Sequence, residues 1–166
     1  MHNITNLIFI FGAKYLYLII MVIFFIWFLT QPQLRKKEIL IIVCICLPLV
    51  FIISKFAGSL YYNSRPFVLG HFQPLIPHQA DNGFPSHHAL LVCVIATIIF
   101  IFSRRIGFVL WILALFVGFS RVYVGVHHVI DIVGSMLIAI IPVALVYFFI
   151  KTRGRFYFLE ILHKKK

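Results

Sequence analysis

Residues 38–61 read EILIIVCICLPLVFIISKFAGSLY, an apolar run opened by Glu38 and not charged again until Lys55. A helix needs about twenty mostly apolar residues to cross the hydrocarbon of a bilayer. This run has that length and predicts a transmembrane helix. Four further stretches read the same way, near Ile8 to Thr30, Ser86 to Phe102, Ile106 to Val122 and His127 to Ile150. The expected fold is therefore all-α, a polytopic bundle of about five membrane-spanning helices. It forms one domain over residues 1–151, and a basic cytoplasmic tail follows at 152–166.

Composition agrees. The 166 residues are 63% hydrophobic and 11% charged, with a mean hydropathy of +1.07. A soluble domain of this size could not hide so much apolar surface. The first apolar run lacks a basic n-region and a small-residue cleavage site, and Lys14 interrupts it, so it is expected to stay as a span. Cys44, Cys46 and Cys93 all lie inside apolar runs, an odd set that predicts buried thiols rather than a disulfide framework.

The basic residues give an orientation. Arg35 to Lys37, Arg104 and Arg105, and Lys151 with Arg153, Arg155 and Lys164 to Lys166 all fall at one side of a five-span chain. The positive-inside bias makes that side cytoplasmic. The net charge of +11 is then topology and contact with anionic lipid, not nucleic-acid binding. The tail after Lys151 alternates basic with apolar residues and suits a short interfacial helix.

Four basic residues stay outside that rule: Lys14, Lys55, Arg65 and Arg121. The last three lie toward the external ends of their spans, as do His87, His88, His127, His128 and Asp131. Ionisable groups at membrane depth are costly and point to function. The only long connection, about Tyr62 to Pro85, holds four of the seven prolines, which predicts an ordered loop without a long helix.

Three segments should meet there: Asn63-Ser-Arg-Pro66, Phe84-Pro-Ser-His-His88, and the turn from Ser120 through Arg121 and Gly125 to His127 and Asp131. Pro85 suits the first turn of a helix, which would set Ser86 and nearby amides at an anion-attracting N-terminus. His127 and Asp131 are four apart and would share one helix face. The carboxylate would fix the ring tautomer and free the other nitrogen to attack. Gly125 lets the chain turn between Arg121 and His127. Arg65 and Arg121 offer forked donors matched to phosphate oxygens.

These segments resemble the three motifs of the type 2 phosphatidic acid phosphatase (PAP2) superfamily, written KxxxxxxRP, PSGH and SRxxxxxHxxxD. The third is complete in Ser120, Arg121, His127 and Asp131. The second reads Pro85-Ser86-His87-His88, with histidine in place of glycine. The first keeps Arg65-Pro66, but Gly58 stands where the lysine belongs, and Lys55 lies one helical turn earlier. Tyr61-Tyr62, Arg65-Pro66-Phe67, Leu75-Ile-Pro-His78 and Ala80-Asp-Asn-Gly-Phe-Pro-Ser86 further resemble bacterial undecaprenyl-diphosphate phosphatases of the bacitracin-resistance (BcrC) type.

The resemblance implies a PAP2-like fold and release of phosphate from a lipid diphosphate through a phosphohistidine, recycling the lipid carrier of cell-wall synthesis. It implies an external active site in the bacterial cytoplasmic membrane and no metal or other cofactor. His127 would be the nucleophile, Asp131 its orienting carboxylate and His88 the proton donor and base. Arg65, Arg121, Ser86 and Lys55 would hold the phosphate, while His78 and Asp81 either touch the diphosphate or shape the loop. Other lipid phosphatases, acting on phosphatidylglycerophosphate or lipid A, are the nearest alternatives. A non-enzymatic lipid-phosphate transporter is the alternative of another class. The expected partners are the lipid substrate and membrane lipids, with no nucleic acid and an undetermined oligomeric state.

Overall fold

The long apolar runs form helices that pack around one of their number. The computed structural model describes residues 3–163, with side chains through Thr152. In order these are α1 (Ile4–Lys14), α2 (Leu16–Leu29), α3 (Gln33–Leu60), α4 (Pro66–Leu69), α5 (His87–Phe102), α6 (Arg104–Tyr123) and α7 (Val129–His163). Helix α5 is central and packs against α2, α3, α6 and α7. Its residues Val92, Ala96 and Ile99 interlock with Ile20, Ile42, Val117 and Val143 in the core.

In lipid this packing cannot be driven by burial from water, because the lipid tails are as apolar as the core; close contact and satisfied polar groups hold it instead. Gly107 is a point of such contact, since a Cβ there would collide with the Phe100 backbone. Hydroxyls inside the bundle bond back to their own helices: Thr97 donates to Cys93 O at 2.6 Å and Ser120 to Phe116 O at 2.6 Å. Large side chains such as Phe51, Phe108 and Phe148 point outward, as lipid-facing residues should.

The structure changes several expectations. The first run is not one straight span: it breaks at Tyr15, and α1 and α2 are bent by 50°. Among the described residues, three helices are long and apolar enough to cross a membrane, four if the bent pair counts as one, while α5 has 16 residues and falls short of that length. The expected figure of about five is therefore not reached by length and composition alone. Cys46 and Cys93 are buried as expected, but Cys44 is exposed. The tail continues α7 as far as His163, and Lys164 to Lys166 lie outside the described residues. The long connection holds only the four-residue α4 and an isolated bridge between Ser64 and Asn82.

Candidate active site

The site forms at one end of the bundle, where the exit of α3, the loop to α5 and the α6–α7 turn converge. Gly125 takes φ +82, a conformation open to glycine, and turns the chain out of α6. His127 then lies in the turn, just ahead of α7 rather than on it, and is 3% exposed. The spacing to Asp131 still brings the two together, with His127 Nδ1 3.3 Å from Asp131 Oδ2.

Three donors converge on the fully buried Asp131. His127 Nδ1 and the His128 backbone N–H (2.8 Å) meet Oδ2, and Asn63 Nδ2 donates to Oδ1 at 2.7 Å. A carboxylate only accepts, so His127 carries its proton on Nδ1. Beyond the ring, Arg65 Nη1 and Arg121 Nη2 each stand 3.3 Å from Nε2. A guanidinium only donates, so Nε2 presents a lone pair. Burial pushes the ring down to about 4, against the pull of the Asp131 hydrogen bond and with the help of both arginines. His127 is therefore neutral near pH 7, with its unprotonated Nε2 facing two cations.

Each guanidinium is fixed from behind. Arg65 donates through Nε to Asp81 Oδ1 at 2.7 Å and through Nη1 to Val126 O at 2.8 Å. Burial alone would raise the half-exposed Asp81 carboxyl, but the Arg65 hydrogen bond and charge outweigh it and hold it below the usual range. Arg121 donates through Nη1 to Ala13 O at 3.3 Å and through Nη2 to His78 Nε2 at 3.1 Å. His78 Nδ1 donates to Gln79 O at 3.3 Å, leaving Nε2 to accept. Burial, followed by the nearby Arg65 charge, lowers the His78 ring from its ordinary value.

These groups enclose a cavity of about 410 Å³ lined by Lys55, Arg65, His78, Asp81, His88, Arg121 and His127, among others. Three fixed cations against one carboxylate make it a place for an anion. His127 faces that space and Asp131 backs its ring. Lys55 lines the cavity, with Nζ 5.6 Å from the centre of the Phe51 ring. Gly58, at the motif's lysine position, lies under the loop, where a Cβ would stand 3.0 Å from Phe84 O.

Two placements differ from the sequence reading. Pro85 precedes the helix, and Ser86 takes the N-cap position, without a side-chain cap bond. Ser86 is fully buried and does not line the cavity; its carbonyl accepts from Ser135 Oγ at 3.0 Å. Among the described residues, its Oγ and Arg121 Nε are the buried side-chain polar atoms without a partner.

Sequence reasoning missed Asn63, which lies beside the motif with nothing to mark it. It quoted Asn82 only within the Ala80 to Ser86 stretch and gave it no role in the site. The Asn82 amide accepts from the Asn63 and Phe84 backbone N–H groups, each at 3.0 Å, and donates to Gly58 O and Tyr61 O. That amide ties the end of α3 to the loop. His128 Nε2 donates to Ser64 O at 3.1 Å and pins the same region, whereas His87 is exposed at the cavity rim.

Residues 39–155 match the PAP2 superfamily. The chain is 30% identical over 147 residues to the "Bacitracin transport permease protein BcrC" of Bacillus licheniformis, covering 88% of this chain and 72% of that one. It is 37% identical over 116 residues to the "Undecaprenyl-diphosphatase BcrC" of Bacillus subtilis, covering 70% of this chain and 59% of the relative. The crystal structure of Aquifex aeolicus LpxE superposes with a TM-score of 0.65 at 22% identity, covering 87% of this chain and 86% of that one. That last likeness is one of fold.

Proposed function

The chain belongs to the PAP2 superfamily, and from that premise we propose that it is a membrane phosphatase that hydrolyses a polyprenyl diphosphate to the lipid monophosphate. One observation carries the reading. His127 Nε2 presents a lone pair between two buried guanidiniums in a cavity it shares with His88.

In the first step Nε2 attacks the terminal phosphorus and the bond to the bridging oxygen breaks. His88 gives a proton to that oxygen, and Asp131 balances the charge on the phosphorylated ring. In the second step water attacks the phosphorus and yields a proton to His88. The P–N bond then breaks and inorganic phosphate leaves. Arg65, Arg121 and Lys55 hold the equatorial oxygens, where transfer spreads its charge. Ser86 is buried outside the cavity lining and is left out of that phosphate-binding set. His78, bonded to Arg121, and Asp81, bonded to Arg65, shape the clamp to admit a diphosphate.

The substrate class follows from the BcrC relatives, and the membrane from the apolar helices. We place the site at the external face of a bacterial cytoplasmic membrane, with the C-terminus inside. The test is phosphate release by the purified protein from undecaprenyl diphosphate, phosphatidylglycerophosphate and phosphatidic acid, with and without EDTA. The expected result is preference for the diphosphate, indifference to the chelator and loss of turnover in His127→Ala. Equal turnover by His127→Ala would overturn the mechanism, and preference for phosphatidylglycerophosphate would reassign the substrate.

A further inference from the structure

The bent first span reaches the site from residues that precede the PAP2 match at 39–155. Ala13, near the end of α1, is fully buried with Ile76, Val124 and Val126, beneath the α6–α7 turn. The last carbonyls of a helix have no intrahelical partner. That of Ala13 accepts from Arg121 Nη1 at 3.3 Å. Two residues beyond the break, the Tyr17 ring meets the His88 ring edge-to-face, with centroids 4.6 Å apart and planes at 85°.

The second contact matters because of what His88 lacks. No hydrogen bond among the described residues involves its ring, in contrast to His78, His127 and His128. Two unbonded ring nitrogens suit a group that must give and take a proton. They also leave the ring plane to be set by packing alone. An edge-to-face pair prefers one relative orientation, and Tyr17, itself half-buried against the core, supplies it.

We propose that the broken first span is a working part of the site: Tyr17 is a positioning residue for His88, and the break brings both Tyr17 and the Ala13 carbonyl to bear. This rests on the proton-transfer role proposed for His88. A ring set at the wrong angle slows dephosphorylation most, because water needs His88 as its base, whereas the phosphate leaving group of the first step departs with little need of a proton. Phosphohistidine should therefore build up when Tyr17 is lost. Misplacement of a reacting group by about 1 Å costs on the order of 100-fold in rate.

The experiment uses the full chain in detergent and farnesyl diphosphate carrying 32P at its terminal phosphate, with an alkaline quench to preserve phosphohistidine. Tyr17→Ala, Tyr17→Leu, Tyr17→Phe and His88→Ala are compared with the parent. Tyr17→Leu keeps volume should the alanine variant fold poorly. Expected is a fall in kcat of roughly 10- to 100-fold for Ala and Leu, with KM within about twofold. The steady-state phosphoenzyme per folded protein should rise as in His88→Ala, and Tyr17→Phe should match the parent. A folded Tyr17→Leu with parental kcat, or with reduced kcat and no added phosphoenzyme while His88→Ala accumulates it, overturns the proposal. Absence of phosphohistidine from His88→Ala with turnover retained overturns the His88 role itself.

Discussion

At the residue scale, the tautomer of His127 depends on Asp131 being an acceptor at both oxygens. Asp131→Asn puts an N–H either against Asn63 Nδ2 or against His127 Nδ1 and the His128 amide, all of which are donors. The relief is a proton shifted to Nε2, which blocks the lone pair. We expect Asp131→Asn to lower kcat by up to about 10⁴-fold, the loss seen when a wrong tautomer is imposed on an orienting pair, with the protein still monodisperse. Turnover within tenfold of the parent would contradict this account. Asn63→Ala removes one of three donors and should cost roughly 10- to 100-fold, as one hydrogen bond to a charged group contributes roughly 1.5–3 kcal/mol.

The depressed His127 pKa also has a consequence for stability. Its ordinary value is 6.5 and its folded value about 4, so below 6.5 the unfolded chain takes up a proton that the folded chain refuses. Stability is therefore lost as pH falls from about 6.5 toward 4 and changes little further below that. His78 and His88 also face this cavity, beside Arg65, Arg121, Asp81 and Asp131, so the parent's slope is shared. His127→Gln should flatten the fall of Tm between pH 6.5 and 4 in detergent, and an unchanged slope would assign it elsewhere. The spacing made His127 and Asp131 legible in the sequence. Asn63 was not legible, because its role comes from a contact 68 positions away.

At the element scale, the last turn of α3 shows where a motif misleads. The resemblance puts a lysine at position 58, yet Gly58 packs beneath the Phe84 carbonyl, and its own carbonyl receives Asn82 Nδ2 at 2.8 Å. Any side chain at 58 pushes on loop backbone. Replacing glycine within a helix gains about 0.5–1 kcal/mol, whereas overpacking costs about 1–3 kcal/mol, so strain outweighs propensity. Gly58→Lys should thus restore the motif and still lose both activity and thermal stability. Lys55→Ala should instead raise KM with little change in Tm. A Gly58→Lys protein with improved turnover would mean that the loop yields. The break in the first span was equally hidden: Lys14 marked the place, but no local signal foretold a bend made useful by partners more than seventy residues away.

At the scale of the whole molecule, orientation and span number are one question, and α5 decides it. Ser86, just ahead of α5, bonds to Asp131 O at the site, while its other end meets α6 across the single residue Ser103. Helix α6 returns from Ser103 to the site at Arg121, so α5 must cover the same depth. Sixteen residues rise about 24 Å and the twenty of α6 about 30 Å, the latter matching the hydrocarbon thickness. The shortfall falls on the helix whose middle is the most enclosed, and local thinning absorbs such a mismatch at modest cost. If α5 crosses, the five spans place Lys36 and Arg104 on one side and Gln79 on the other. In a cysteine-free background, Gln79→Cys should react with a membrane-impermeant maleimide on intact cells, and Lys36→Cys and Arg104→Cys only after permeabilisation. Labelling of Arg104→Cys from outside would mean that α5 does not cross, and labelling of all three in the reverse sense would turn the site to the cytoplasm.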